Sequence, residues 1–291
     1  MKSTNRRWNA VAAVFGILTS LAANTAEPLG RLRLPEGPAS FALEVHTNAM
    51  GPVAFDLATG EHAVLASAAG GFQTPCVLID DHGPLSAAKP TPRDQAQGPG
   101  WRFARFDVTE AFSDRVRRFE RSYLYLEPDL FVVWDHVEGV LPVSYEFRLQ
   151  LPAAAEVDPV WGDVRLKLPA ASLQVHAPGE KKRLRTWKRP SSSGLLGAAE
   201  GFETFSLASP GRLQRFDVVT VFCATPATVP REYAFRLLES SSAVGVRVHR
   251  DGLPALIAFR TADGSSPASL TSFEFQGPVG VDVFKPRTPK P

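Results

Sequence analysis

Residues 106–139, FDVTEAFSDRVRRFERSYLYLEPDLFVVWDHVEG, decide how this chain is read. From Arg117 onward the segment reads as two strands and a turn. Ser122–Leu126 is apolar and aromatic, Glu127, Pro128 and Asp129 are turn formers, and Leu130–Val137 is apolar again, broken only by Asp135 and His136. Alternation places Arg117, Phe119, Arg121, Tyr123 and Tyr125 on one face of an extended strand.

The same texture recurs along the chain. Short runs such as SFALEV, PCVLID, WRFARFDV, VSYEFRLQL, RFDVVTVFCA, AVGVRVHR and ALIAFRT are separated by turn signals. Many alternate with period two and favour Val, Phe, Tyr and Leu, the pattern of half-buried antiparallel strands. Only EYAFRLLESSS offers a helical reading. With 25 Pro and 22 Gly spread along 291 residues and no βαβ rhythm, the expected fold is all-β, a large antiparallel β-sandwich. RFDV occurs at Arg105 and again at Arg215, too short a match to read as duplication.

Three looser stretches interrupt the pattern: Gly83–Gly100, Ala177–Gly201 and the C-terminal KPRTPKP. None reads as a domain linker. The domain plan is residues 1–26 a leader, 27–284 one sandwich domain and 285–291 a disordered tail, with a split near Leu151 as the alternative. The leader has a basic start, MKSTNRR, then an apolar run, WNAVAAVFGILTSLAA, too short for a comfortable membrane span. Small residues at Ala22, Ala23 and Ala26 complete the plan of a secretory signal peptide. Cleavage would leave no membrane span and a periplasmic or extracellular protein; an uncleaved N-terminal anchor is the alternative. In that compartment Cys76 and Cys223 could pair, and two buried thiols on separate strands are an equal alternative. The formal net charge of +2 argues against a general nucleic-acid binder.

Taken together, FDVTEAF and the strands that follow it resemble the C-terminal β-sandwich of the heparinase II/III family of polysaccharide lyases. The family pattern is Asp-x-Thr-x-Ala-aromatic, an Arg-bearing strand, a Pro-Asp turn and an apolar strand ending in Asp. Here these are Asp107, Thr109, Ala111, Phe112, Arg121, Pro128, Asp129 and Asp135. YEFRLQLP resembles the next family strand, with Gln150 where His is common. Upstream, ASFALEV, VAFDLATG and CVLID fit the order of the first strands, so the likeness spans residues 33–225.

The resemblance implies a chemistry to look for. Such a lyase removes the proton beside a uronate carboxylate and expels the 4-linked sugar, which needs a base, an acid and neutralisation of the carboxylate. In the family the base region comes from a helical toroid that precedes the sandwich, and the sandwich adds a His and a His-Asp-His zinc site. The His places fall here on Arg33, Pro35 and Thr74; only the metal Asp is kept, as Asp56. One Asp is not a zinc site, so no cofactor is expected. A relocated set of His46, Asp56 and His62 is the alternative, against ordinary surface histidines. His136 should face away from Asp135 along its strand, so the two would not act on one substrate. No nucleophile elbow, phosphate loop or Rossmann pattern is present.

The sharpest binding feature is EKKRLRTWKR. Lys181, Lys182, Arg183, Arg185, Lys188 and Arg189 surround Trp187. Cations pair with carboxylates and sulfates, Arg in a fork, and a Trp face stacks on sugar C–H groups. The bland alternative is a solvated basic loop. Arg115, Arg117 and Arg121 form a second candidate patch, against Arg stems that merely cover apolar surface. Trp101, Trp134 and Trp161 read as core or rim. The expectation is an exported protein of polysaccharide-lyase ancestry that binds or accompanies acidic polysaccharide with catalysis lost. Two alternatives stand beside it. One is an active lyase completed by a separately encoded helical domain. The other is a structural envelope protein.

Overall fold

In the computed structural model the described residues are 41–46, 54–59, 62–65, 76–85, 90–127, 129–158, 163–167, 171–178, 202–226, 233–261, 264 and 266–283. Twenty strands run through them. The first four are β1 (Phe41–His46), β2 (Ala54–Thr59), β3 (His62–Leu65) and β4 (Cys76–Ile79). The middle of the chain supplies β5 (Thr91–Gly98), β6 (Trp101–Asp107), β7 (Val116–Leu126), β8 (Leu130–Val143) and β9 (Tyr145–Pro152). Next come β10 (Glu156–Val157), β11 (Val164–Lys167), β12 (Ala171–His176), β13 (Phe202–Ala208) and β14 (Leu213–Pro226). The last six are β15 (Tyr233–Glu239), β16 (Ala243–Arg250), β17 (Leu253–Arg260), β18 (Ala268–Leu270), β19 (Phe273–Phe275) and β20 (Val279–Val283). The described helical structure is one 3-10 turn, Thr109–Phe112. EYAFRLLES, the segment with a helical reading, is strand β15.

The centre is an eight-stranded sheet of order β10-β11-β12-β14-β8-β7-β6-β5. A three-stranded sheet, β13-β9-β4, packs on one face, and a four-stranded sheet, β15-β16-β17-β20, on the other. The first core contains Phe106, Tyr123, Phe131, Val133 and Phe222 against Val77, Tyr145, Phe147, Leu149 and Phe205. The second contains Phe103, Leu124, Val132, Trp134 and Val221 against Val244, Val246, Ile257 and Phe259. β1, β2 and β3 form a sheet of their own.

Three layers correct the half-buried reading of the decisive segment. Phe119–Leu126 of β7 and Leu130–Val137 of β8 are buried on both faces, which is why apolar residues stand at successive positions in Tyr123–Leu126 and Leu130–Trp134. Most of the Tyr and Phe content is spent on packing. Tyr123 stacks on Phe131 at 5.8 Å, Phe131 lies 5.8 Å from Phe222, and Trp134 stacks on Phe259 at 5.2 Å. The β7–β8 hairpin closes where Leu126 faces Leu130. Asp129 in its turn is buried, accepts from Arg250 Nη1 at 2.7 Å, and offers its carbonyl to Ala224.

The outer side of the four-stranded sheet carries a small third core of Ala243, Leu256, Ala258, Leu270 and Phe275, closed by the β18–β19 hairpin. Close approach here needs glycine. A Cβ on Gly280 would lie 2.6 Å from the Phe275 ring, and one on Gly245 would lie 2.1 Å from the Ile257 carbonyl. Cys223 is a buried free thiol facing the second core; β4, which carries Cys76, packs on the other side of the central sheet.

Candidate functional site

The described residues that carry the family resemblance build architecture at separate places in the sandwich. Asp107 Oδ1 accepts from the Thr109 amide at 2.9 Å, and Thr109 Oγ1 accepts from the Phe119 amide at 2.9 Å. The Asp-x-Thr pair therefore pins the turn between β6 and β7, with Ala111 and Phe112 buried beneath it. Arg93 closes the outside of the turn, donating to Asp107 Oδ2 at 2.6 Å. Burial opposes ionisation of Asp107, but the Thr109 hydrogen bonds and the Arg93 charge outweigh it and hold the carboxyl below its ordinary value.

Arg121 and Asp135 are register partners on β7 and β8 and point into the first core. Arg121 Nε and Nη2 donate to Asp135 Oδ1 and Oδ2 at 2.6 and 2.7 Å, a two-pronged fork. Tyr145 of β9 adds its hydroxyl to Asp135 Oδ2 at 2.6 Å. The Arg121 guanidinium also lies 5.2 Å from the Phe147 ring. No part of Arg121 reaches solvent. Burial disfavours its charge, but the Asp135 carboxylate more than compensates and raises its pKa well above the ordinary value. The trio locks the three-stranded sheet onto the central one.

The opposite face carries a polar row. Asp107, Glu120, His136 and Asp217 are successive register partners across β6, β7, β8 and β14. His136 Nδ1 lies 2.8 Å from Asp217 Oδ1 and its Nε2 lies 3.2 Å from Glu138 Oε1. Both neighbours are carboxylates, so both ring nitrogens donate together only in the imidazolium form. Asp217 also accepts from the Trp134 indole at 2.9 Å. Arg118 Nη2 reaches both Glu120 oxygens at 3.0 Å. Arg105, itself buried, lies over the Trp134 ring at 5.0 Å and donates to Ser122 and to the Arg260 and Pro278 carbonyls, each at 3.2 Å. It ties the four-stranded sheet to the row. His136 is sealed from solvent, while Glu138 and Arg118 are partly exposed, so the row opens at one end of the sandwich.

Lys181, Lys182, Arg183, Arg185, Trp187, Lys188 and Arg189 lie outside the described residues, as do Arg33, Pro35, Thr74, Pro128, Trp161 and the segments 1–26 and 284–291. For His46, Asp56 and His62 the backbone register is what is described. His46 faces Ala54, Glu44 faces Asp56, and His62 faces Thr59. Among the described residues no group of three His, Cys, Asp or Glu could hold a metal ion, and no helix is long and apolar enough to cross a membrane.

The second candidate patch is corrected. Arg121 is locked in the core and takes no part in it. Arg117 is exposed at a register shift between Val116 and Arg118, which breaks the simple alternation. Arg115 lies beside Asp114 at 2.7 Å. Asp135 and His136 point to opposite faces, as the sequence predicts. Trp134 is core and Trp101 is rim. Gln150, in the family's His place, is buried on β9 opposite Thr204.

Sequence reasoning missed Tyr145, because a Tyr opening a strand gives no sign of a buried carboxylate partner. It also missed the polar row. The signal available was a charged residue set beside another inside an apolar run: Glu120-Arg121 on β7 and Asp135-His136 on β8. In a strand covered on both faces, each such neighbour needs its own buried partner.

No protein-family model matches the sequence, and no curated protein matches it. Solved structures do match in fold. Heparan sulfate lyase HepC from Pedobacter heparinus superposes with a TM-score of 0.60 at 10% identity, over 91% of this chain and 49% of that one. A heparinase III, the BT4657 gene product with methylated lysines, gives 0.61 at 10% identity over 87% and 47%. A further heparinase III gives 0.59 at 13% identity over 77% and 40%. The chain spans about half the length of these structures, and the sandwich is the heparinase III-like C-terminal domain fold that the sequence resemblance implies.

Proposed function

We propose that this chain is an exported protein of polysaccharide-lyase ancestry that binds acidic polysaccharide without cleaving it. One observation carries the reading. The positions most like the family, Asp107, Thr109, Arg121 and Asp135, are consumed in turn and core architecture. What the likeness preserves is therefore a scaffold, while the places of the family's imidazoles read Arg33, Pro35 and Thr74. The basic stretch from Lys181 to Arg189 with Trp187 suits an anionic sugar chain by charge and stacking.

The test has two arms. Calorimetry of the purified chain with heparin, heparan sulfate and alginate should give salt-sensitive binding. Ultraviolet monitoring of the same mixtures should show no unsaturated uronate. Production of unsaturated uronate would replace this reading with the second one, an active lyase completed by a helical partner. That second reading draws support from the fold likeness to heparan sulfate lyase HepC and to heparinase III. Failure to bind any anionic glycan would leave a structural envelope role.

A further inference from the structure

We infer that the outer face of the four-stranded sheet holds a second anion-binding site, built on Arg236 and Arg247, for the carboxylate or sulfate groups of an acidic polysaccharide. The inference rests on the proposed binding function and places a contact surface well apart in sequence from residues 181–189.

The register sets Arg236 of β15 directly opposite Arg247 of β16. Two like charges at that position repel, since directly opposed Cβ atoms on neighbouring strands are only about 4.5–5.5 Å apart. A carboxylate normally relieves such a pair. Among the described residues neither guanidinium has a hydrogen-bond or ion-pair partner, in contrast to Arg93, Arg105, Arg118, Arg121, Arg148 and Arg250. Asp282 stands in the same cross-strand row but beyond Leu256, and makes no ion pair with Arg247.

The site is partly built. Arg247 is half-buried beside the third core, and its Nε is enclosed without a partner. Enclosure of that atom holds the stem and leaves the fork to accept a ligand. Arg236 is exposed on an edge strand, where a polymer can reach it. His249, exposed and two residues along the same face, extends the polar strip. A single carboxylate or sulfate between two opposed guanidinium groups removes the repulsion and satisfies both forks, which is the geometry that binds these groups most strongly.

The experiment is titration of the full chain with a heparin-derived oligosaccharide and with oligouronate, read by calorimetry and by thermal shift. R236Q changes an exposed side chain, so folding should be untouched. It should weaken binding about tenfold, the worth of one charge-assisted hydrogen bond. Without glycan its melting temperature should equal or exceed that of the parent, because the repulsion is gone; with glycan its stabilisation should shrink. R236Q/R247Q should lose more. Binding by R236Q and the double variant equal to the parent, with loss on neutralising Lys181, Lys182, Arg183 and Arg185, would overturn this site and leave the proposed function standing. No binding by the parent chain would overturn both. A melting temperature lowered by R236Q in the absence of glycan would show that Arg236 has a structural partner, and would also overturn the site.

Discussion

On β7 and β8 two adjacent register pairs point to opposite faces of one sheet, and they meet different fates. Arg121 and Asp135 close on each other in a two-pronged ion pair with Tyr145 as a third member, sealed on every side. Glu120 and His136, one residue away on each strand, do not bond each other in this way. Each turns to flanking groups, Glu120 to Arg118 and His136 to Asp217 and Glu138. The first cluster is finished within the core. The second is a ladder that runs towards solvent. A buried pair is tolerated only when every lone pair and proton has a partner. The open ladder can complete itself with water at its exposed end.

The sharpest way to break the comparison is to remove one side of the sealed pair. Asp135→Asn leaves an uncompensated guanidinium in the core, and denaturant unfolding should show a loss of about 3–5 kcal/mol or failure to fold. Arg121→Met with Asp135→Leu removes both charges and should regain part of that loss, the remainder being the buried Tyr145 hydroxyl left without its Asp135 acceptor. If the double variant unfolds as readily as the single one, the cluster is held by more than its charges. Tyr145→Phe keeps the ion pair and deletes only the hydroxyl, so the expected cost is smaller, about 1.5–3 kcal/mol. On the open face, His136→Gln should cost about 1–2 kcal/mol, because Asp217 keeps the Trp134 indole and Glu138 keeps access to water. A loss as large as that of Asp135→Asn would show the two faces to be equally sealed.

The sequence made the fold legible where period-two apolar runs and turn residues repeat, and the resemblance pointed to the right sandwich through Asp107, Thr109, Arg121 and Asp135. It misjudged how many layers cover those strands. Alternation tells which residues share a face but not whether the other face is also buried, so Arg121 read as a surface cation when it is fully buried in the core. The bulge at Arg117 added to the error by shifting the phase at the strand's start. The candidate binding stretch from Lys181 to Arg189 rests on composition, which fixes charge but not placement. Arg236 and Arg247 could not be paired from sequence, because their opposition depends on the register of a hairpin.

The smallest expected effect tests where the ladder meets the turn. Asp107 belongs to both, as the first member of the row with Glu120 and as the acceptor that pins Thr109. Its carboxyl is held below the ordinary value against the cost of burial, by Thr109 and Arg93. A carboxyl depressed in the folded state contributes stability that is complete above the unfolded value and is lost as pH falls through the folded value. Asp107→Asn should therefore cost about 1 kcal/mol near neutral pH. The gap between variant and parent should close on acidification, because the parent then protonates the same oxygen. A gap that stays constant from neutral to acid pH would mean that Asp107 acts through shape alone. The electrostatic ladder would then begin at Glu120 rather than at the turn.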